Sequence, residues 1–200
     1  MPTVEEGFAA IDAANADDPH GKELDHAERA VGWVRRLRPD ASDALLLAAR
    51  GHHVRRWEIP RTEEPAGRQG YLRWKRRLQQ HHADVLGRVL GDAGFAPALV
   101  ARVQQIVRKE RLRSDPDVQA LEDALALVFL ETQLDDLAGR LDDDHMVDVL
   151  AKTIRKMTPA GVAAAVALPV SDDGGRLLRL AGERAAAVPA STPEGEDGAV

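Results

Sequence analysis

The feature of the sequence that most constrains its fold is a series of apolar segments with helical spacing, separated by proline, glycine, aspartate and serine. Alanine and leucine are abundant in these segments, whereas alternation of β-branched residues, the pattern of a half-buried strand, is scarce. Apolar residues three or four positions apart form one face of an α-helix, and the separating residues are common at helix ends. The sequence therefore predicts an all-α fold.

Nine helices are predicted, and the third is expected to be central because Leu45, Leu46 and Leu47 make it apolar nearly all round. Six of them have approximate bounds at both ends, residues 4–16, 24–37, 71–93, 97–109, 143–157 and 175–187. The other three are predicted from their starts: the third is capped by Asp40 or Ser42, the sixth begins at Asp115-Pro116, and the eighth begins at Thr158-Pro159.

The length of 200 residues suits one substantial core, and nothing in the sequence requires two domains. We therefore expect one helical domain over residues 1–188. The remaining residues, 189–200, are rich in proline, glycine and polar side chains. This composition buries too little apolar surface to fold, so it predicts a disordered tail.

The chain has no cysteine and a formal net charge of −6. The absence of cysteine excludes disulfides and thiolate metal sites, so a bound metal would need histidine, aspartate and glutamate as its ligands. The negative charge argues against a surface that binds nucleic acid. A small anionic substrate is the partner that the local basic stretches favour.

The beginning of the sequence lacks the basic start and apolar run of a secretory signal. No uninterrupted apolar stretch approaches the roughly 20 residues that a membrane-spanning helix needs. We therefore expect a cytoplasmic protein with no membrane partner.

The stretch over residues 48–61, AARGHHVRRWEIPR, is the first candidate for a functional site. An apolar helix ends there in the doublet His52-His53, and imidazole can bind metals or transfer protons near neutral pH. Adjacent residues of a helix point about 100° apart, so both rings can reach one ion only where the helix ends. The alternative is a capped helix whose basic end complements its C-terminal dipole.

Basic and aromatic side chains follow the doublet. Guanidinium groups bind phosphate or carboxylate in a planar, bidentate manner. Arg55, Arg56 and Arg61 are therefore predicted to bind the substrate, and Tyr71 is predicted to line the pocket or stack on a base. Residues 59–70 contain two prolines and two glycines, which predicts an irregular loop beside the doublet.

A second doublet, His81-His82, lies within a predicted helix, so at most one of its rings should face the core. His82 is in phase with the apolar residues of that helix. We predict a catalytic role in proton transfer for His82, with Lys109 as a further cation beside the substrate. An ordinary buried histidine is the alternative for His82.

The order of these residues resembles the HD-domain metal-dependent phosphohydrolases, which have an early histidine, a His-Asp doublet, further histidines and a late aspartate. His26 matches the first histidine, and LLLAARGHHVRRW matches the doublet segment with His52 in the histidine position. HHADVLGRVLGDAGF is similar to a later helix that begins with a histidine, here His82. QALEDALALVFLE is similar to the late segment, with Asp123 as the aspartate. The resemblance covers about residues 24–131.

The sequence departs from that pattern at two places. His53 replaces the aspartate of the doublet, and Arg108-Lys109 occupies the approximate position of another histidine pair. Without a bridging carboxylate, a two-metal centre is not favoured. The resemblance then remains compatible with a single divalent ion, for which Fe, Mn or Zn suits imidazole and carboxylate ligands, and a site that has lost its metal is the alternative. The predicted metal ligands are His26, His52, His53 and Asp123.

The segments RGHHVRRWEIPR, GYLRWKRRL and LEDALALVFLE also resemble a narrower group, the domain of unknown function 4202 family, over nearly the whole helical region. That resemblance implies no activity. The first functional hypothesis is a metal-dependent hydrolase of a small phosphorylated substrate, which could be a nucleotide. An iron oxygenase with an HD-like fold and a non-catalytic helical module that binds an anion or a protein remain alternatives.

Overall fold

The computed structural model describes residues 2–138 and 142–187, and within these ranges it contains helices and no strand, which confirms the all-α prediction. The predicted tail over residues 189–200 lies outside the described residues, as does Val188 at the end of the predicted domain. The α-helices of the described ranges are α1 (Val4–Ala14), α2 (Glu23–Leu37), α3 (Asp43–Gly51), α4 (Arg68–Asp92), α5 (Pro97–Val107), α6 (Pro116–Ala138), α7 (Asp143–Ile154), α8 (Pro159–Val166) and α9 (Asp172–Ala187).

Several helix ends follow local signals that the sequence makes visible. Ser42, one of the two candidate caps of α3, accepts a hydrogen bond from a backbone N–H in the first turn, and Thr158 caps α8 in the same way. Such caps satisfy N–H groups that the first turn of a helix leaves free. Other ends differ from the predicted ones, and α7 for example ends at Ile154 and not at Met157. Terminal turns depend on tertiary contacts as well as on local sequence.

The chain divides into two compact units, Met1–Leu121 and Glu122–Val200, with the division inside α6. In the first unit α3 contacts α1, α2 and α5, while α4 contacts α1 and α5. Leu45 and Leu47 of α3 are fully buried, which confirms the predicted central position of this helix. The single domain over residues 1–188 stays a prediction.

The second unit contains α7, α8, α9 and the C-terminal part of α6. Its α7 and α9 pack against each other through buried apolar residues that include Leu150 and Leu177. Arg184 on α9 pairs with Asp144 and Asp148 on α7. Because these charged side chains are exposed, the ion pairs contribute little to stability.

Two carboxylates of α6 support the first turns of α8 and α9. Asp123 accepts hydrogen bonds from the backbone N–H and the hydroxyl of Thr158, the N-cap of α8. A Cβ atom at Gly161 would lie 2.8 Å from Asp123 Oδ2. The glycine therefore leaves the space through which the carboxylate reaches the cap.

The same arrangement occurs at the first turn of α9. Asp135 accepts from the backbone N–H and the hydroxyl of Ser171, and a Cβ atom at Gly174 would lie 2.6 Å from Asp135 Oδ1. Ser171 in turn accepts from the backbone N–H of Gly174. In both places a carboxylate, a hydroxyl and a glycine satisfy the start of a helix.

Over the described residues, none of the helices has both the length and the apolar character that crossing a membrane requires.

Candidate functional site

The first histidine doublet lies where α3 ends. Gly51 is the last residue of α3, and a Cβ atom there would lie 2.3 Å from Leu86 Cδ2 of α4, so glycine leaves the space that the Leu86 side chain occupies. Arg55 then adopts a left-handed conformation with φ of 50°, which is uncommon for residues other than glycine. The rings of His52 and His53 consequently lie with their centroids 4.0 Å apart.

Histidines from three helical segments meet in the first unit. The ring of His53 lies 6.1 Å from that of His26 on α2 and 6.0 Å from that of His82 on α4, measured between centroids. The ring of His81 lies 5.7 Å from that of His82. We refer to His26, His52, His53, His81 and His82 as the histidine cluster. Three of its members were predicted metal ligands, and His82 was a predicted catalytic residue.

Two members of the cluster are held by backbone carbonyls. His52 Nδ1 donates to Ala49 O and His82 Nδ1 donates to Val54 O, each over 2.8 Å. A carbonyl only accepts, so the proton of each neutral ring is on Nδ1 and the lone pair is on Nε2. His82 is 3% exposed, and its Nε2 has no hydrogen-bond partner among the residues that the structure describes. An unpaired buried polar atom of this kind requires an explanation.

Burial keeps these rings neutral. It lowers the pKa of His52 and that of His82 to about 3, despite the opposing effect of their hydrogen bonds to backbone carbonyls. Nearby cationic groups lower both values further, and Lys109 contributes to the shift of His52. The two side chains therefore present neutral imidazole lone pairs at pH 7, which is the form that binds metals.

Both nitrogens of His53 have polar neighbours. Nδ1 lies 3.3 Å from Glu23 Oε2, and Nε2 lies 3.3 Å from Arg56 Nη1. Because a guanidinium only donates, Nε2 accepts and the ring proton is on Nδ1, facing the Glu23 carboxylate. Burial is the largest cause of a pKa of His53 far below its usual value. This histidine therefore lies as a neutral ring between a carboxylate and a guanidinium.

Glu23 was missed in the sequence analysis. Its side chain is 15% exposed, and burial raises its pKa to about 7, although the positive charge of Arg56 opposes this shift. The available signal was spacing: Glu23 and His26 are three residues apart on α2 and so lie on the same face of the helix. The sequence alone does not show that this face of α2 meets the end of α3, so the spacing did not identify Glu23.

Arg56 is the arginine of the doublet segment that lies at the histidine cluster. Its guanidinium is 5.0 Å from the centroid of the Trp74 ring, a distance suited to a cation–π contact. Within the described residues no carboxylate is at ion-pair distance from Arg56, and burial lowers its pKa. Arg50 on α3 differs because it has a carboxylate partner: its Nε and Nη2 donate to the two oxygens of Asp12.

Tyr71 and Arg56 both lie near the ring of Trp74. The ring centroid of Tyr71 is 5.9 Å from that of Trp74, and its buried hydroxyl has no hydrogen-bond partner among the described residues. Burial raises the pKa of Tyr71, while the charge of Arg56 opposes that shift. A buried O–H donor without a partner and a half-buried guanidinium without a carboxylate therefore occur together.

The other two predicted substrate-binding arginines bind the protein itself. Arg55 donates from Nε to Ala14 O and from Nη1 to Glu58. Arg61 donates to the backbone carbonyls of Glu64 and Pro65. These contacts give both guanidinium groups a structural role, and substrate binding by either arginine stays a prediction.

The two remaining predicted residues, Asp123 and Lys109, differ in their surroundings. Asp123 belongs to the second unit, where its carboxylate supports Thr158, and its role as a metal ligand stays a prediction. Lys109 follows α5 in a left-handed conformation with φ of 57°. Its charge acts on His52, so Lys109 remains a candidate cation at the histidine cluster.

The histidine cluster fits a divalent ion in its donor chemistry. Metal-binding histidines usually donate their other ring N–H to a carbonyl or carboxylate, as His52 and His82 do to backbone carbonyls. Over the described ranges, however, no group of three or more histidine, aspartate or glutamate side chains already has an ion-binding arrangement. Ion binding would therefore require side chains of the cluster to move.

Comparison with known proteins gives a family and no activity. The family model described as domain of unknown function, DUF4202, matches residues 5–178. No curated protein and no solved structure matches the chain. The match includes the doublet segment, the loop after it, and α4 through α8, in agreement with the resemblance of three sequence segments. The chain therefore belongs to the DUF4202 family.

Proposed function

We propose that the protein is a metal-dependent hydrolase of a small phosphorylated substrate, with its site at the histidine cluster. The observation that carries this proposal is a set of polar groups in the first unit that the described residues leave incompletely paired: the half-buried guanidinium of Arg56 contacts His53 and Trp74 but no carboxylate, and the buried hydroxyl of Tyr71 and Nε2 of His82 have no hydrogen-bond partner. Burying a cation or a polar atom without a partner costs free energy. A ligand that pairs with all three groups would offset this cost.

The arginine and the tyrosine suit an oxyanion. Arg56 has five N–H donors, and one of its nitrogens is directed at His53. Donors that remain can bind phosphate oxygens, and the guanidinium lies 5.0 Å from the centroid of the Trp74 ring. The Tyr71 hydroxyl can donate to a further oxygen. These residues would bind and orient the phosphoryl group and offset its charge.

His52 and His82, with His26, would hold the ion through neutral imidazole lone pairs. A bound divalent ion lowers the pKa of water and polarises the phosphoryl group. With a pKa of about 3, His82 is a weak base at neutral pH. Its environment therefore favours a ligand role over the proton transfer predicted for it, while Lys109 would supply a further cation near His52.

The resemblance of the sequence to the HD-domain phosphohydrolases supports this proposal, because the histidines matched to that pattern, His26, His52 and His82, are the ones that meet at His53. An HD-like fold is therefore part of the proposal. The cytoplasm remains the proposed location, on the sequence grounds given above.

The test is elemental analysis of the protein purified without a histidine tag, followed by assays of phosphate release and O₂ consumption on a panel of phosphate monoesters and nucleotides. The proposal expects a bound first-row metal and phosphate release that falls by at least about a hundredfold in His82→Ala. His20→Ala is the matched control, because His20 is an exposed histidine of the same unit.

Substrate-dependent O₂ consumption would support the oxygenase alternative and overturn the hydrolase. Ligand binding by a protein that binds no metal and releases no phosphate would support the non-catalytic module. Equal activity of the wild type and His82→Ala would exclude the histidine cluster as the site.

A further inference from the structure

Glu23 is a largely buried carboxylate without a cationic partner. Its side chain is 15% exposed, and its one close polar contact is Oε2 to His53 Nδ1 at 3.3 Å. In the part of the chain that the structure describes, no lysine or arginine lies within ion-pair distance of it. Buried carboxylates are ordinarily paired or coordinate metals, because desolvation of an isolated charge is costly.

The position of Glu23 on α2 brings it to the histidine cluster together with His26. Residues three apart on a helix are neighbours on its surface, and Glu-x-x-His is a spacing with which helical bundles present two metal ligands from one turn. The His26 ring also stacks on that of His53, with an interplanar angle of 26°. Both side chains of this pair are therefore directed at His53.

A second observation in the same cluster points to a ligand. His82 Nε2 is buried and carries a lone pair for which the described residues provide no partner, and the ring centroid of His82 is 6.0 Å from that of His53. A lone pair requires a proton donor or a cation. A carboxylate and a lone pair thus both lie near His53, and over the described residues neither has a cation as its partner.

Asp123, the carboxylate that the sequence favoured, has an adequate structural explanation. Its oxygens accept from Thr158, and Asp135 supports Ser171 in the same way at an exposed position. A carboxylate of α6 can therefore serve a helix cap with no metal involved. A carboxylate among the ligands would offset part of the charge of the ion, and Glu23 is a carboxylate that contacts the histidine cluster.

We propose that Glu23, in place of Asp123, is the carboxylate ligand of the metal site at the histidine cluster. This inference rests on the proposed function, because it names a ligand of the same site. Glu23 and His26 then bind from one turn of α2, while His52 and His82 bind from the end of α3 and from α4.

The experiment is a titration of the metal-free, full-length protein with Co²⁺, followed by calorimetry and by the visible absorption of the ion. The variants are Glu23→Gln, Asp123→Asn and His82→Ala. Glu28→Gln is the matched control, because Glu28 is an exposed glutamate of the same helix. Helical circular dichroism of every variant verifies that it folds.

We expect Glu23→Gln to weaken Co²⁺ binding by at least about tenfold and to change the absorption spectrum of the ion. Asp123→Asn and Glu28→Gln should keep the wild-type dissociation constant within about threefold. Glutamine retains an oxygen that can accept from His53 Nδ1 but has no charge. An unchanged spectrum and affinity in Glu23→Gln would therefore limit Glu23 to orienting His53 and would overturn the inference.

Failure of the inference and of the proposed function are distinguishable. If His82→Ala loses Co²⁺ while Glu23→Gln binds it like the wild type, the metal site stands and Glu23 is not its ligand. Loss of Co²⁺ in Asp123→Asn alone would return that role to Asp123. If the wild type itself binds no Co²⁺, both the metal-dependent hydrolase and the role of Glu23 are wrong.

Discussion

Asp123 and His82 are buried to nearly the same extent, 2% and 3% exposed, yet the two regions around them use polar groups in opposite ways. Around Asp123, the carboxylate accepts from both donors of the Thr158 cap, and Gly161 gives it the space to do so. In the first unit, the described residues give neither the lone pair of His82 nor the hydroxyl of Tyr71 a partner.

The difference shows that burial of a polar residue does not by itself indicate function. A satisfied buried group is adequately explained by stability, because it replaces hydrogen bonds to water with hydrogen bonds inside the protein. An unsatisfied one lowers stability and therefore requires another explanation, such as a ligand. The four predictions below test whether each region behaves accordingly.

The largest expected effect concerns Arg56, which has no carboxylate partner in the described part of the chain. Arg56→Ala should weaken binding of the phosphorylated ligand, or turnover, by about ten- to a hundredfold, because a charge-assisted hydrogen bond contributes about 1.5–3 kcal/mol. Metal content and unfolding free energy should change little. Arg61→Ala is the control, since Arg61 binds backbone carbonyls. Equal losses of ligand binding or turnover in Arg56→Ala and Arg61→Ala would contradict the assignment of phosphate binding to Arg56.

The second prediction concerns Asp115, a paired carboxylate of the first unit, whose contribution to stability should depend on pH and not on a ligand. Arg102 is the largest cause that lowers the pKa of Asp115 to about 2 from 3.8. The lowered value stabilises the folded state above about pH 4, and this contribution of about 2 kcal/mol is lost as the pH falls from about 4 to 2. Urea unfolding across that range should show the loss.

Asp115→Asn should remove most of this pH dependence, whereas Asp92→Asn, at an exposed position on α4, should retain it. Identical pH profiles for the wild type and Asp115→Asn would contradict the contribution assigned to the Arg102 pair.

In the second unit, Asp123→Ala should lower the unfolding free energy of the metal-free protein by about 1–2 kcal/mol, because Thr158 loses its acceptor. Asp135→Ala removes the equivalent contact at an exposed position and should cost about 0.5 kcal/mol or less. Chemical denaturation measures both. A metal-free Asp123→Ala protein as stable as the wild type would show that the cap does not depend on this carboxylate.

The smallest expected effect is that of Tyr71→Phe, which should raise the stability of the ligand-free protein and weaken the binding of the ligand. Tyr71→Phe removes a buried hydroxyl without a partner, so the ligand-free protein should gain up to about 1 kcal/mol of unfolding free energy. The same variant should bind the phosphorylated ligand about three- to tenfold more weakly. Thermal unfolding and calorimetry measure the two changes, and a loss of stability in the ligand-free variant would show that the hydroxyl has a partner.

The parts of the structure that local sequence determines were predictable. Helical periodicity gave the all-α fold, and the hydroxyls of Ser42 and Thr158 marked helix starts that the structure contains. The apolar phase of α4 correctly placed His82 toward the core. Each of these predictions depends on residues within about one helical turn of one another.

The parts that depend on distant contacts were not predictable in the same way. Thr158 is 35 residues from Asp123, so the sequence did not indicate that this carboxylate supports a helix cap. Glu23 becomes relevant only once α2 lies beside the end of α3. The absence of an ion-pair partner for Arg56 depends on where every nearby carboxylate lies, which one segment does not reveal.

The second histidine doublet determines what a minimal copy of the site must contain. His81 and His82 on α4 donate to the carbonyls of Arg55 and Val54, the two residues that follow the first doublet. A peptide copying residues 48–61 would leave these carbonyls to water and would lack the buried lone pair of His82. Transplanting the site into another scaffold therefore requires α3, its turn and α4 as one block, with glycine kept at position 51.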